Sequence, residues 1–207
     1  NGFARQGAKC VVLCNEEAAH RVSMRYLSSA SGFKKEDITA NKDAVWNSWK
    51  DLRKNIKIVD SIGQDMSWVE AVCRTYNPDV VVVDIGDKFA TQAGFARPDE
   101  ALKANAIHAR EIAKRHNCAV FYMSQLSAEA EGRVQLNQSM MEGSKTGKAS
   151  EADLMLLLAK NPSEGTTEGV QEGEDGIRHI ILAKNKLSGW HGRVTCEFDF
   201  ETGRFGA

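Results

Sequence analysis

Four consecutive valines, Val80 to Val83, follow Pro78-Asp79 and run straight into Asp84. A β-branched run without alternation leaves no strand face for water, so it requires cover on both sides of its sheet, the condition of a parallel α/β core. Short apolar runs recur at residues 8–14 (AKCVVLC), 57–59, 119–124, 153–158 and 179–183. Helical spacing is found within 17–28, around 42–55, and over 66–76 and 98–116. In the last of these, Ala101, Ala104, Ile107, Ala109, Ile112 and Ala113 make an apolar stripe behind Pro98, a residue suited to a first turn. Strands alternating with helices predict a mostly parallel sheet flanked by helices, and 207 residues suit one domain, 1–207. Residues 160–177 are rich in Gly, Glu and Thr and predict a mobile loop. Residues 179–205, with Ser188-Gly189 and Gly192, predict an antiparallel β-hairpin closing the edge of the sheet.

Charge narrows the function. Twenty-seven Lys and Arg against 28 Asp and Glu leave a formal charge of −1, so histone-like binding is excluded and any nucleic-acid contact needs a local basic patch. No run approaches the roughly 18 apolar residues of a membrane span, and NGFARQGAK has no signal-peptide pattern, so a cytoplasmic protein with no membrane association is expected. The five cysteines form no C-x-x-C pair, and His20, His108, His116, His179 and His191 show no ligand spacing, so no metal site built from protein ligands alone is expected.

Three polar groups follow three apolar strands. Asp84 closes VVVVD in a Walker B pattern, where a carboxylate can hold a water of a phosphate-bound Mg2+. Glu16 and Glu17 follow AKCVVLC through Asn15; if the two strands are neighbours, Glu16 and Asp84 converge, with Glu16 able to polarise an attacking water. Gln125 follows the strand ending at Met123-Ser124 and can hydrogen-bond a γ-phosphate or a water. Each also has a plainer use: Asp84 as a cap or turn residue, the glutamates as first-turn residues favoured by a helix dipole, Gln125 as a loop residue. Gly143 to Ala149 imitates a P-loop, but G-x-x-x-x-G-K-[ST] would need Gly at Glu142 and a hydroxyl at Ala149.

Strand-NEE, PDVVVVD, an alanine-rich helix ending in IAKRHN, CAVFYMSQL, GSKTGKASEADLMLLL, and a final KNK with its hairpin occur in that order. The series resembles the RecA-fold motor domain of DnaB-type hexameric helicases, most closely the helicase half of phage primase–helicases, over nearly the whole chain. The resemblance implies a RecA-like P-loop NTPase core that hydrolyses Mg2+-ATP between subunits of a hexameric ring and translocates on single-stranded DNA, with 5′-to-3′ polarity. Primase and polymerase are the partners it suggests. It makes Glu16 the catalytic glutamate, Asp84 the Walker B residue and Gln125 the sensor. Lys184 and Lys186 fall on the family's K-x-R, whose arginine is a finger in trans. Lysine there keeps the charge but lacks the bidentate fork, which leaves Arg193 as the second candidate. Channel-facing loops would present Lys88, Phe89 and Arg97 after Asp84, and Arg133, Gln135 and Asn137 after Gln125. Lys145 and Lys148 would add basic groups to the channel, with a solvated charged loop as the alternative. Trp190, at the hairpin tip, is expected at a subunit interface.

The family's Gly-Lys-Ser/Thr loop is absent from the chain, whose start resembles the end of the helix that follows that loop. The expectation is a domain truncated at its N-terminus, lacking the P-loop strand and loop and binding nucleotide poorly as it stands. Two other readings use the same residues: a RecA-like recombinase or circadian-type ring ATPase that does not unwind, and a degenerate assembly module.

Overall fold

The computed structural model describes residues 1–91, 95, 97–143, 147–161 and 176–206. Most of the predicted loop at 160–177 lies outside them. The chain forms α1 (Gly2–Arg5), β1 (Cys10–Cys14), α2 (Ala19–Ser31), α3 (Lys42–Trp49), β2 (Ile56–Asp60), α4 (Met66–Tyr76), β3 (Val80–Asp84), α5 (Pro98–His116) and β4 (Ala119–Tyr122). A short α6 (Gly147–Glu151) then leads into β5 (Leu154–Lys160), β6 (Ile177–Asn185), β7 (Gly192–Asp199) and β8 (Arg204–Gly206).

The valine run sits where its composition requires. β1 pairs in parallel with β2 on one side and β3 on the other, and β3 pairs in parallel with β4, giving the order β2-β1-β3-β4. On one face Val11, Leu13, Val81 and Val83 pack with Met66, Val69, Val72 and Cys73 of α4 and Ala109 and Ile112 of α5. On the other, Val12 and Cys14 pack with Val22 of α2, against Tyr26, Ile58 and Val82. Both faces are covered: Val80, Val81 and Val83 are buried and Val82 is half-buried.

The helices begin and end on local chemistry. Asp65 caps α4 by accepting the Trp68 N–H at 2.8 Å, and Pro98 opens α5 where a missing N–H is harmless. Asn77 and Asn117 end α4 and α5 in the left-handed region (φ 43° and 48°), which asparagine tolerates better than most residues. The helix expected around 42–55 is shorter: α3 stops at Trp49, and Leu52–Lys54 forms a separate 3-10 turn whose Leu52 packs with Ala4, Ala30 and Ile56.

One expectation is corrected. The C-terminal hairpin does not close the parallel sheet. β6 and β7 are the middle of a second, four-stranded antiparallel sheet in the order β5-β6-β7-β8. Strand β5 reads like the buried parallel strands, yet it pairs antiparallel with β6 and alternates, with Met155, Leu157 and Ala159 buried and Leu154, Leu156 and Leu158 exposed. Near the C-terminus Arg204 donates to the carbonyls of Ser29 (2.7 Å) and Ala30 (3.1 Å), and Ser28 Oγ donates to the Glu201 carbonyl (3.1 Å), tying this sheet to the end of α2.

Gly86, just past β3, is buried because the Tyr122 ring lies over it; a Cβ there would stand 2.3 Å from a ring carbon. Gly86→Ala is therefore an overpacking change costing about 1–3 kcal/mol. A fall in the urea midpoint without a change in slope would report it.

Candidate active site

The strand order places a switch at β1 and β3: the chain leaves β1 toward β2 on one side and returns to β3 on the other. Ligands of open α/β sheets lie in the crevice that such a reversal leaves at the carboxyl ends of the strands. Register puts Cys14 beside Asp84 on one side and Asp60 on the other, so β1, β2 and β3 end level.

Asn15 joins the two strand ends that flank the crevice. Its N–H donates to the Asp84 carbonyl (3.0 Å), its Nδ2 donates to the Ile85 carbonyl (2.8 Å), and its Oδ1 accepts the Ile85 N–H (2.7 Å). A side-chain amide supplies one donor and one acceptor to the same residue, which neither Asp nor Leu could do. Glu16, the next residue, is thereby held close to Asp84. The Asp84 carboxyl is pushed above the usual carboxylate range, first by burial and then by the Glu16 charge, with Arg25 and Lys88 opposing the shift. Arg25 itself pairs with Glu17. Two carboxylates that repel at a strand-end crevice form a donor set a divalent cation would relieve, and Mg2+ commonly takes one or two carboxylates beside substrate phosphates and water. Among the described residues no group of three His, Cys, Asp or Glu is arranged to hold a metal unaided.

The Cys14 thiol is pushed up to about 11, chiefly by burial and then by Asp84 and Asp60, so it is an inert apolar neighbour of the crevice. Tyr26 is pushed up to about 12, again chiefly by burial.

Gln125 lies two strands away from Glu16, exposed beyond the end of β4 at the same edge; its carbonyl accepts the Glu142 N–H at 3.1 Å. Between Gln125 and Asp84 is a cluster that sequence reasoning did not find. Lys148 Nζ donates to Asp87 Oδ2 (2.8 Å) and to Ser124 Oγ (2.8 Å), and Ser124 Oγ donates to the same Asp87 oxygen (2.5 Å). The Lys148 side chain is 1% exposed. Its expected role as a channel cation is therefore corrected: the ammonium is enclosed and neutralised by Asp87. Asp87 precedes Lys88 and Ser124 precedes Gln125, so the cluster connects the two loops that carry those residues.

The remaining candidates divide. Lys88 is exposed and pairs with Glu16, Nζ to Oε1 at 2.6 Å. Arg97 is exposed and bidentate to Asp99 (3.0 and 2.8 Å), and Arg133 is exposed in the loop after β4. Lys145 lies outside the described residues. Lys184 donates to the carbonyls of Ala149 (2.5 Å) and Ser150 (3.2 Å), and Lys186 to that of Ser150 (3.3 Å) and to Asp153 (3.5 Å). Burial, and then the Lys186 charge, holds the Lys184 ammonium below its ordinary pKa. Arg193 is exposed on β7, opposite Ile181. Among the described residues none of Lys184, Lys186 and Arg193 bonds to Glu16, Asp84 or Gln125. Trp190 is exposed at the hairpin tip.

A parallel sheet whose switch crevice carries two carboxylates, with Gln125 exposed at the same edge, is an open α/β core of the ligand-binding class. The DnaB-like helicase C-terminal domain family matches residues 2–207, and the chain belongs to that family. Its fold is similar to a solved ATPase domain of another protein (TM-score 0.79, 19% identity, 99% of this chain and 76% of that one). It is also similar to a DnaB-like replicative helicase described with its interactions with primase (TM-score 0.82, 18% identity, 98% of this chain). The chain spans about half of that helicase, 51%. No curated protein matches the chain. No helix of the described residues is long and apolar enough to cross a membrane.

Two outcomes follow from the charges. Because Asp84 titrates above its unfolded value, the folded state binds its proton more tightly; that stability is full below the unfolded pKa of 3.8 and lost as pH rises through the folded value. Asp84→Asn removes an ionised group the fold disfavours, so its melting temperature should exceed the wild type's at pH 7 and the gap should close on acidification toward pH 4. Conversely, Lys148→Ala leaves Asp87 without its cation and should cost about 3 kcal/mol in denaturant titration, with Asp87→Ala added restoring part of the loss.

Proposed function

We propose that this chain is the ATP-hydrolysing motor domain of a replicative DNA helicase, acting on single-stranded DNA as a ring of like subunits. The observation that carries the reading is the placement of Glu16 and Asp84 on either side of the switch crevice in a DnaB-family fold. Asp84 would hold Mg2+, through water, and the ion when bound would neutralise phosphate charge. Glu16, exposed at the crevice mouth, orients and deprotonates the attacking water; Gln125 senses the γ-phosphate. Exposed Lys88, Arg97 and Arg133 offer cations to the backbone of a strand, and repetition around a ring makes few charges per subunit sufficient. A cation of the second sheet, Lys186 or Arg193, serves the neighbouring subunit's nucleotide.

The phosphates themselves need a Gly-rich loop, and none of the 207 residues provides one. We place it, with a strand, upstream of Asn1. The fold leaves room for that strand: β4 and β5 are both edge strands, and Phe121, Met123, Leu154, Leu156 and Leu158 on and beside them are 40–60% exposed. Calorimetry should therefore detect no saturable micromolar Mg2+-ATP binding to residues 1–207. A chain extended upstream through a Gly-Lys-Ser/Thr loop should hydrolyse ATP, and Glu16→Gln in it should lower turnover by about 10²–10⁴-fold. Tight nucleotide binding by residues 1–207, or an extension lacking such a loop, would remove the motor reading.

A further inference from the structure

Lys88 is positioned to do more than meet a strand. Its Nζ lies 2.6 Å from Glu16 Oε1, with the two side chains 46% and 41% exposed. The pair engages one of the two Glu16 oxygens and holds the carboxylate turned toward the Lys88 stem, so in this arrangement the proposed base is tethered and not free to swing to a water. The lysine's main chain is fixed on both sides: Asp87 is held by the enclosed Lys148 and by Ser124, the Lys88 N–H donates to the Ile85 carbonyl (3.1 Å), and the Phe89 side chain is buried. Only the flexible four-carbon stem is free to move, and it stands at the sheet edge where Arg97 also begins its helix.

We infer that Lys88 is a gate on Glu16: its ammonium holds the carboxylate when no strand is bound, and a phosphodiester of single-stranded nucleic acid takes the ammonium and releases Glu16 to act on water. The inference rests on the proposed role of Glu16 and makes Lys88 a positioning residue that acts through it. An exposed ion pair favours its closed state by only about two- to fivefold, and a polyanion competes for it readily. The gate therefore accounts for a factor of that size in any stimulation by DNA and no more.

The test is steady-state ATP hydrolysis by the protein extended through its phosphate-binding loop, with and without oligo(dT), for the wild type, Lys88→Met, Lys88→Arg and Glu16→Gln. Lys88→Met should raise DNA-free turnover about two- to fivefold and lower the stimulation ratio by the same factor, whereas Lys88→Arg, which keeps the charge, should give a stimulation ratio above that of Lys88→Met. DNA-free turnover of Lys88→Met at or below the wild-type rate overturns the gate. If the ammonium instead moves to the nucleotide's own phosphate, Lys88→Met raises KM for ATP and slows turnover alike with and without DNA, which also overturns it. An active Glu16→Gln enzyme is a different failure: it removes Glu16 as the base whatever Lys88 does.

Discussion

The level parallel pairing of β1 with β3 is the constraint on which the site depends. Cys14 stands beside Asp84 in that register, and a slip by one residue would turn every valine of β3 to the opposite layer while carrying Asp84 away from Glu16. Burial on both faces makes such a slip costly, because Val81 and Val83 already fill the α4–α5 side and Val82 the α2 side. Packing energy in the core thus fixes the distance between two charged groups at the edge. Asn15 finishes the task locally, since its amide closes on the one residue that follows Asp84.

The same edge is charged enough to need opposition. Asp84 carries the combined cost of burial and of the Glu16 charge, and the cations that moderate it, Arg25 and Lys88, come from α2 and from the loop after β3. Both cations already have carboxylate partners, Glu17 and Glu16. The crevice is therefore a network of two acid–base pairs around a half-buried aspartate. A ligand bringing its own charges has to rearrange such a network, so the exposed pair breaks before the buried one formed by Lys148 and Asp87.

What could be read from the sequence was what is set locally. Asp84, Glu16 and Gln125 each follow a short apolar strand, and in a parallel sheet strand ends share an edge, so their placement required only that the strands be neighbours. Lys148 could not be read that way. GSKTGKAS has the polarity of a solvated loop, and the group that encloses its lysine, Asp87, is 61 residues away. β5 misled for a related reason: its leucine-rich run is compatible with a central parallel strand, and the antiparallel partner that makes it alternate lies beyond residues 162–175. Asn15 and Gly86 carried weaker signals. An asparagine before a glutamate pair and a glycine after a strand are both common, and only the approach of Ile85 and Tyr122 gives them a specific task.

The two sheets divide the chemistry. The parallel sheet brings Glu16, Asp84 and Gln125 to one edge, whereas the candidate cations Lys184, Lys186 and Arg193 belong to the antiparallel sheet and its turn and, among the described residues, make no bond to those three. Lys184 and Lys186 are turned to the carbonyls at the end of α6, and the burial that depresses the Lys184 pKa suits it to a structural bond better than to a mobile charge. Lys186 is more exposed and holds Asp153 only at 3.5 Å, so it gives up its partners more easily. Arg193 is exposed and carries the planar fork that matches phosphate oxygens. The acids and the candidate cations thus sit on separate sheets, so a site built from both would take either a rearrangement within the chain or a second copy beside it.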